Sequence, residues 1–407
     1  MTKTLLRKQS SEGVGYAVVE LNGTRHIVAS AVPQAGADLR EQAHDALRTI
    51  EAVMEDEGTR GSIVRQAVFM KDIGQIETCR QIIHDFYGEQ LPATIYIPQP
   101  PCEGKLLEIE ALGVGGRGDV EIQRYSERMV VSRHDGVAWV HLANVYPETT
   151  ATGVYERSRN VFELAAQGLA ARGFSYDQVM RTWLYLGDIV GPEGETQRYK
   201  ELNRARTDFY EGIRFGAHLT PPGWERTIYP ASTGIGTDGN DVVMSCMALV
   251  SYRKDVLMVP LENPQQTSAC DYGRKYGFKS PKFARAMAVA AHDLATIFVS
   301  GTASITDEET QFVGDVQGQT RQTLDNIAAL ISADNLRQHG LSGLGATLDD
   351  LALVRVYIKH QEDYAKTRAV CEARLGEVPT IYAQADVCRP ELLVEIEGIA
   401  FAHPGVR

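Results

Sequence analysis

The amino-acid sequence predicts a mixed α/β (α+β) protein in which three tandem copies of one small unit fold together as a covalent pseudo-trimer. Two observations predict this class. A helix, a strand and a closing strand recur in one order along nearly all of the 407 residues, and the spacings between them match. Equivalent positions at Glu108, Ser245 and Glu395 lie 137 and 150 residues apart, which is too long for a solenoid repeat and suits small domains.

The first repeated element is a helix with one apolar face. It follows Gln42 in the N-terminal third and Gln319 in the C-terminal third. Apolar residues three and four positions apart lie on one side of a helix, and that side packs on a core. These residues are Leu47, Ile50, Val53 and Met54 in the first copy and Leu324, Ile327, Leu330 and Ile331 in the third.

The next repeated element is a β-rich run that ends in a lysine, Lys71 or Lys359. A second helix then leads to a proline, Pro92 or Pro379, after 21 and 20 residues. The nearly equal distances indicate that the first and third copies keep one register over several elements. The middle third follows the same order with more divergence.

Each copy closes with a strand. Residues 106–111 and 393–398 alternate apolar and acidic side chains, as a half-buried strand does, and residues 242–248 take this place in the middle third. A sheet with helices on one face needs a cover for its other face, and three copies in one chain can cover one another. We therefore expect a monomer or a weak dimer. The predicted units are residues 1–118, 119–254 and 255–407.

Composition limits the classes of function. With a net charge of −12 and no concentrated basic surface for phosphate contacts, we expect no nucleic-acid ligand. No stretch of about 18 apolar residues could span a bilayer, and residues 1–10 lack the apolar segment of a secretory signal, so we expect no membrane association and a cytoplasmic location. Six scattered cysteines without a CxxC pair indicate reduced thiols.

Cofactor motifs are missing from the sequence. The ten histidines show no H-x3-H or HExxH spacing, and there is no GxGxxG or GxxxxGK[ST] loop. We therefore expect no metal site and no cofactor.

The repeated motifs resemble the reactive-intermediate deaminase (YjgF-type) family. The resemblance rests on Q-x4-L-x2-[IL] in the helix, V-[FY]-[MI]-K in the strand, a P-A turn and a closing [LV]-E-I-E-[AG]. It implies YjgF/chorismate-mutase-like units that form a central β-barrel with outer helices and ligand clefts between units. In that family an arginine after the P-A turn grips the substrate carboxylate. The turns at Pro92, Pro230 and Pro379 lack it, which argues against imine deamination.

Residues 120–403 are more specifically similar to the chorismatases, which remove pyruvate from chorismate and are built on two such units. This resemblance implies an enzyme acting on an anionic enol ether, with its cleft between the second and third units. A full N-terminal unit, and Cys270 where tyrosine is usual, depart from the pattern. The matching stretches are residues 181–186, 230–236, 263–269, 300–305 and 385–397.

The resemblance assigns catalysis to Glu395 and Cys388. Cleaving an enol ether needs a proton on its methylene carbon, and a buried carboxylic acid with a raised pKa supplies one near neutral pH. Glu397 has the same facing by alternation, so the sequence leaves the choice of glutamate open. Cys388 lies seven residues before Glu395, and a tight turn could bring both into one cleft. In the chorismatases a cysteine here accompanies formation of 3-hydroxybenzoate rather than the dihydrodiol.

The other candidates would bind a small anionic substrate. Arginine binds carboxylates well, and glycine lets backbone N–H groups approach one. Alternative roles are a solvated surface for the arginines, a β-bulge for the glycine-rich stretch and interface packing for the tyrosine. The candidates are Arg389, Arg285, Arg181, Tyr382, Ser232, Thr233, Gly234 and Gly236.

Two other classes of function stay open on the sequence. The unit also fits a deaminase-like hydrolase of enamines or imines, and the repeat fits a non-catalytic pseudo-trimer that binds a small ligand or a partner. Cys102 precedes Glu108 by six residues in the first unit, so the cysteine–glutamate pair is also consistent with inherited scaffold.

Overall fold

A computed structural model gives the structure of the protein. It describes residues 6–21, 23–116, 118–216, 218–221, 223–239, 241–273 and 279–406. Within these residues the protein is a mixed α+β structure with seven α-helices and three large sheets. Each large sheet is open, so the hydrogen bonds of the described strands form no closed barrel of the kind that the resemblance implies.

The first sheet comes from the N-terminal third. Its elements are β1 (Leu6–Ser11), β2 (Val14–Leu21), β3 (Thr24–Ala31), α1 (Leu39–Asp56), β4 (Ile63–Met70), α2 (Ile76–Tyr87), β5 (Ala93–Ile97) and β6 (Leu107–Gly116). The strand order is β1-β2-β3-β6-β4-β5, with β4 and β5 parallel and the other neighbours antiparallel.

The second sheet repeats this arrangement. Its elements are β7 (Glu121–Ser126), β8 (Met129–His134), β9 (Val137–Val145), α3 (Val154–Ala170), β10 (Val179–Gly187), β11 (Pro192–Glu193), β12 (Thr196–Gln197), α4 (Arg198–Tyr210), β13 (Ala231–Thr237) and β14 (Val242–Ser251). The order is β7-β8-β9-β14-β10-β13, again with one parallel pair, β10 and β13. The short strands β11 and β12 form a separate hairpin.

The third sheet has the same order with insertions. Its elements are β15 (Leu257–Leu261), β16 (Ala286–Ala291), β17 (Leu294–Ala303), β18 (Ile305–Thr306), β19 (Glu309–Thr310), α5 (Val316–Ile331), α6 (Ala333–Gln338), β20 (Leu344–Gly345), β21 (Leu351–Ile358), α7 (Tyr364–Leu375), β22 (Thr380–Gln384) and β23 (Val394–Pro404). The order is β15-β16-β17-β23-β21-β22, with β21 and β22 parallel.

The long helices pack on their sheets through the apolar faces that the sequence predicts. Asp38 caps α1 by accepting the N–H of Glu41, and the predicted residues of α1 are buried against β3 and β6. Asp315 caps α5 through the Gly318 N–H, and the predicted residues of α5 are buried against β17 and β23. The apolar face therefore determines how each helix sits on its sheet.

The three sheets contact one another in turn. Strand β5 of the first sheet packs on β9 of the second, β13 of the second packs on β17 of the third, and β21 of the third packs on β2 and β3 of the first. Backbone hydrogen bonds cross all three boundaries, from the Thr94 N–H to the Glu127 carbonyl, from the Cys102 N–H to the Tyr382 carbonyl and from the Ala284 N–H to the Pro230 carbonyl. Each boundary therefore brings a parallel strand pair close to a neighbouring sheet.

The sheets also share one register at their centres. In each sheet, one residue of the middle strand lies opposite a residue of its parallel partner and a residue of the long closing strand. These trios are Ile97–Phe69–Glu108, Thr233–Trp183–Ser245 and Ala383–Tyr357–Glu395.

Three histidines lie where the inner faces of the sheets meet. His26, His134 and His141 line an internal cavity of about 40 Å³ together with residues of all three sheets. Burial lowers the pKa of His26 and His141 to about 3 and that of His134 to about 4. The three imidazoles are therefore neutral in the folded protein at physiological pH.

We expect the protein to lose stability as the pH falls below about 6.5, the histidine pKa of an unfolded chain. The unfolded chain then binds protons that the buried imidazoles reject, at a cost of about 1.4 kcal/mol per group and pH unit. Urea unfolding between about pH 7 and about pH 4.5 measures this slope. His141→Leu should flatten it and the exposed His360→Leu should leave it unchanged. Equal slopes in all three proteins would contradict the assignment.

Candidate active site

A cleft of about 210 Å³ lies between the second and third sheets. One wall comes from α4 and β13, and the other from β17, β23 and the segments that precede β16 and β23. The walls are joined by backbone contact, since the Ala284 N–H donates to the Pro230 carbonyl. This boundary is the one at which the resemblance places the active cleft.

Glu395 on β23 faces the cleft with 4% of its surface exposed. Its pKa is raised to about 8, chiefly because burial disfavours the charged carboxylate and secondly because Glu397 is near. Arg181 and Arg285 oppose this shift in pKa. At neutral pH the Glu395 carboxyl group therefore carries a proton, as a general acid must.

Two glycines make room in the cleft. A Cβ atom on Gly301 would overlap the Oε1 atom of Glu395, so any larger residue would displace the carboxyl group. On the opposite wall, a Cβ atom on Gly234 would lie 2.9 Å from Cε2 of Tyr199. The predicted residue Gly234 therefore lines the cleft and leaves space for a ligand.

Cys388 lies between β22 and β23, is half-buried and lines the cleft with Glu395. Burial, and after it the neighbouring Glu395, raises the pKa of the thiol to about 12. The sulfur is therefore protonated at physiological pH. It suits a role in shaping the cleft better than a role as a thiolate nucleophile.

Two buried arginines line the cleft and make no ion pair with a carboxylate of the described residues. The predicted residue Arg285 donates to the Tyr272 hydroxyl at 2.6 Å. Arg206 on α4 donates to Ser232 Oγ at 3.1 Å and to Asn203 Oδ1. The Nε atoms of both arginines are buried without a hydrogen-bond partner in the described structure. Glu262 interacts electrostatically with Arg285 but forms no ion pair with it, so both buried guanidinium groups keep a donor for an anionic ligand.

Two further predicted residues lie in the cleft wall. Arg389 donates to the Glu308 carbonyl at 2.9 Å, which ties its guanidinium group to the β18–β19 hairpin. Ser232 lines the opposite wall and accepts from Thr182 as well as from Arg206. The structure thus brings Glu395, Cys388, Arg285, Arg389, Ser232 and Gly234 together in one cleft.

Arg181 and Thr233 do not line the cleft, although the sequence suggested that they bind substrate. Arg181 is 1% exposed, pairs with Glu397 and lies over the Trp183 ring. Thr233 accepts from Arg181 and donates to Glu397. The register of β10 directs Arg181 into the contact between sheets, which the residue type alone does not reveal.

Gly236 and Tyr382 also lie outside this cleft. A Cβ atom on Gly236 would lie 2.6 Å from the Asp386 carbonyl oxygen, so Gly236 allows close packing between chain segments. Tyr382 lines a different cleft, of about 330 Å³, between the third and first sheets, and packs on Tyr364. Tyr382 therefore packs at the boundary between two sheets, which is the alternative role that the sequence left open for it.

The two glutamates of β23 differ in their surroundings. Glu395 borders the cleft and Glu397 does not. Glu397 accepts hydrogen bonds from Arg355 at 3.0 Å and from the Tyr357 hydroxyl at 2.8 Å. Although burial alone would raise its pKa, Arg181 and Arg355 hold that pKa below its usual value. Glu397 is therefore a buried ionised group, and Glu395 is the available acid.

A small residue on β13 explains why the cleft is open here. Ser232 lies one residue before the β13 member of its register trio. At the corresponding positions the first and third sheets have Tyr96 and Tyr382, which are 1% and 8% exposed. The serine therefore leaves more room beside β13, whereas Tyr382 forms part of the wall of its own cleft.

The cysteine–glutamate pair of the first unit is closed off from both of the clefts described above. Glu108 is 1% exposed and Cys102 is 3% exposed. The Cys102 carbonyl accepts from Gln361 at 2.7 Å and its N–H bonds to the third sheet, so this loop is closed against its neighbour. Neither side chain lines the cleft that holds Glu395 or the one that holds Tyr382.

The sequence reasoning missed the contribution of α4. Tyr199, Asn203 and Arg206 lie on one face of this helix, at positions i, i+4 and i+7, and all three line the cleft. The signal in the sequence was the spacing of these three polar residues, which places them on one face of the helix. Gln197, Lys200, Tyr272 and Glu391 also belong to the polar lining that was not predicted.

Among the described residues there is no group of three or more His, Cys, Asp or Glu side chains arranged to hold a metal ion. In the same part of the chain, no helix is both long enough and apolar enough to cross a membrane.

Comparison with known proteins identifies relatives of two sizes. A family described as Endoribonuclease L-PSP matches residues 282–402. A RutC family protein of Pyrococcus horikoshii is 33% identical over 108 residues, which is 26% of this chain and 78% of that protein. These matches cover about one unit.

Longer matches cover most of the chain. A 3-hydroxybenzoate synthase of Streptomyces hygroscopicus is 33% identical over 292 residues, which is 69% of this chain and 79% of that protein. A chorismatase of the same organism is 34% identical over 287 residues, or 68% and 77% of the two chains. A crystal structure of a chorismatase superposes with a TM-score of 0.63 at 22% identity, covering 93% of this chain and 97% of the other. The chain therefore belongs to the chorismatase family.

Proposed function

We propose that this protein cleaves the enolpyruvyl ether of chorismate, or of a similar anionic enol ether, to pyruvate and a hydroxybenzoate. One observation carries the proposal. A buried carboxylic acid that keeps its proton to about pH 8 shares a cleft with two buried arginines that have no carboxylate partner among the described residues. An acid beside unpaired cations suits protonation of an anionic substrate.

The proposed reaction begins with a proton transfer from Glu395 to the methylene carbon of the enol ether. The resulting cation at the ether carbon weakens the bond between the ring and the ether oxygen. The neighbouring ring hydroxyl group then bonds to that ring carbon as the carbon–oxygen bond breaks, so pyruvate leaves with the ether oxygen and the hydroxyl proton returns to Glu395. Opening of the resulting epoxide with loss of a ring proton gives 3-hydroxybenzoate. Where water adds instead, the products are pyruvate and the dihydrodiol. Chorismate contains all the atoms of pyruvate and 3-hydroxybenzoate, so this route consumes no oxidant and no cofactor.

Charge complementarity supports the same substrate class. Chorismate carries two carboxylates, and the cleft contains Arg206, Arg285, Arg389 and Lys200 against Glu391 and a protonated Glu395. Arg206 and Arg285 are the buried members of this set, so their bonds to a carboxylate are shielded from water. We assign the substrate carboxylates to these two guanidinium groups.

Pyruvate release tests the proposal directly. The purified protein is mixed with chorismate, and pyruvate is followed by coupling it to a dehydrogenase. Steady release of one pyruvate per chorismate consumed is expected. No release from chorismate, together with ammonia release from freshly generated 2-aminoacrylate, would replace the proposal with a deaminase-like activity. No turnover of either compound would favour a ligand-binding protein.

Cys388→Ala should change the product rather than stop the reaction. The neutral thiol borders the acid, and its loss leaves room in which water can compete with the substrate hydroxyl. We expect pyruvate release to stay within about threefold, a change of less than about 1 kcal/mol in barrier height. The ratio of 3-hydroxybenzoate to the dihydrodiol, measured by chromatography, should fall. An unchanged ratio would remove Cys388 from product control.

The architecture belongs to the same proposal. We infer that residues 1–118, 119–254 and 255–407 are three tandem units arranged as a pseudo-trimer, because their sheets share strand order and register and contact one another in turn. Such a chain covers its own sheet faces, so we propose a monomer or a weak dimer, and light scattering measures this oligomeric state. We also propose a cytoplasmic location. The substrate cleft then lies between units two and three.

A further inference from the structure

We infer that the N-terminal unit acts on the catalytic centre through Glu110, as the outer end of a buried ion-pair relay that passes through Arg355 and Glu397 to the acid Glu395. This inference rests on the proposed function, since it takes Glu395 as the proton donor. It makes Glu110 a positioning residue, because Glu110 does not line the cleft.

The outer half of the relay joins the first unit to the third. Both oxygens of Glu110 accept from Arg355, at 2.5 Å from Nε and 2.7 Å from Nη2. The remaining terminal nitrogen of Arg355, Nη1, donates to Glu397 Oε1 at 3.0 Å. The three side chains are at most 5% exposed. One guanidinium group therefore holds a carboxylate of each unit in fixed positions.

The inner half of the relay brings in the second unit. The second oxygen of Glu397 accepts from Arg181 and from the Thr233 hydroxyl. The indole N–H of Trp183 also donates to Glu397, at 3.0 Å from Oε2. The second unit and the third unit, which adds Arg355 and Tyr357, thus supply the donors that surround Glu397, and this number of donors keeps it ionised.

The relay reaches Glu395 by two routes. Glu397 is two residues further along β23 and has the same facing, so its negative charge opposes ionisation of Glu395. Thr233 Oγ1 also accepts the Gly301 N–H at 2.9 Å, and Gly301 is the residue whose missing side chain makes room for the Glu395 carboxyl group. The relay therefore affects both the ionisation of Glu395 and the position of its carboxyl group.

The charges around Glu395 give the direction of the effect. Removing the Glu110 charge leaves Glu397 to balance both Arg181 and Arg355, and it also takes away the carboxylate that lies 4.0 Å from the buried Arg65. The surroundings of Glu395 therefore become more positive and its proton is held less tightly. The ionisable groups that face Glu395 from the elements packed around it are Glu397, Arg181, Arg285, Cys388, Tyr199, Arg389, Arg206, Lys200 and Glu391. None of these is altered by a substitution at Glu110.

Glu110→Gln tests the relay with two measurements. The first is the infrared band of the protonated Glu395 carboxyl group, identified by its absence in Glu395→Gln and followed against pH. The second is the pH dependence of kcat for pyruvate release. We expect the midpoint of the band and the alkaline limb of kcat to move down together by about one pH unit. A folded Glu110→Gln protein with both midpoints unchanged would overturn the inference.

Control variants separate this effect from general destabilisation. Glu57→Gln removes a carboxylate of the same unit that pairs with Arg7 and Arg25 away from the relay, and it should leave both midpoints unchanged. If Glu110→Gln does not fold, Thr233→Val and Thr233→Ser take its place. Valine loses the bonds to Glu397 and Gly301 while serine keeps them, so valine alone should shift the band and lower kcat. Equal behaviour of the two would contradict the relay.

Failure of the relay can be told from failure of the proposed function. If the wild-type protein releases no pyruvate from chorismate, the proposed function fails, while the infrared titration of Glu395 still reports on the relay. If pyruvate is released and Glu110→Gln shifts neither midpoint, the proposed function stands and the relay falls.

Discussion

Replacing Glu395 with glutamine should lower kcat for pyruvate release from chorismate by about 10²–10⁴-fold, the usual contribution of a general acid. The amide keeps the size of the side chain beside Gly301 but has no acidic proton to transfer. The wild-type enzyme should in addition lose kcat as the pH rises through about 8, because Glu395 then gives up its proton. The coupled pyruvate assay over a range of pH measures both effects.

A matched variant in the first unit provides the control for this result. Glu108 holds the same register position as Glu395, opposite Phe69 instead of Tyr357, and burial likewise raises its pKa well above the usual value. It does not line the cleft that holds Glu395, so Glu108→Gln should leave kcat unchanged. A loss of activity in Glu108→Gln equal to that in Glu395→Gln would indicate a structural role for both glutamates. Full activity in Glu395→Gln would remove the proposed acid.

The mixed α+β class and the helix faces could be predicted because they depend on local periodicity. The apolar positions of α1 and α5 follow the helical period, and the structure buries them. How the sheets meet depends instead on contacts far apart in sequence. The resemblance therefore implied a barrel, whereas the described strands form three open sheets that touch in turn.

The sequence predicts that Glu395 and Glu397 lie near each other, but it does not predict how their surroundings differ. Alternation on β23 places Glu395 and Glu397 on one face, and it cannot say which borders a cavity. That difference comes from Arg181 and Arg355 on two other strands, which engage Glu397 and leave Glu395 unpaired. Their positions are set by strand pairing across units.

The arginines illustrate the same limit. Arg181 was a reasonable carboxylate ligand by residue type, but the contact between the sheets buries it against Trp183 and Glu397. Arg206 lies on a helix with five other charged residues, all of them only partly buried, so its residue type does not distinguish it from them. An arginine on a helix can be assigned to a ligand site only when it is known what packs against that face of the helix.

Arg206→Gln is expected to raise KM for chorismate by roughly 10–150-fold, since a hydrogen bond to a charged group contributes about 1.5–3 kcal/mol. In the free enzyme Arg206 is buried, and its donors are only partly used by Ser232 and Asn203. A substrate carboxylate would complete this set. Because the carboxylate keeps its charge throughout the reaction, the loss should appear mainly in KM, with kcat changed less.

Arg204→Gln is the matched control on the same helix. Arg204 lies two residues away, is 42% exposed and pairs with Glu201 near the surface, where an ion pair contributes at most about 1 kcal/mol. It does not line the cleft, so KM should stay at the wild-type value. If Arg206→Gln lowers kcat at unchanged KM, Arg206 acts on the transition state instead of holding the substrate. If the two variants behave alike, the substrate carboxylate binds elsewhere, and Arg285 becomes the remaining buried candidate.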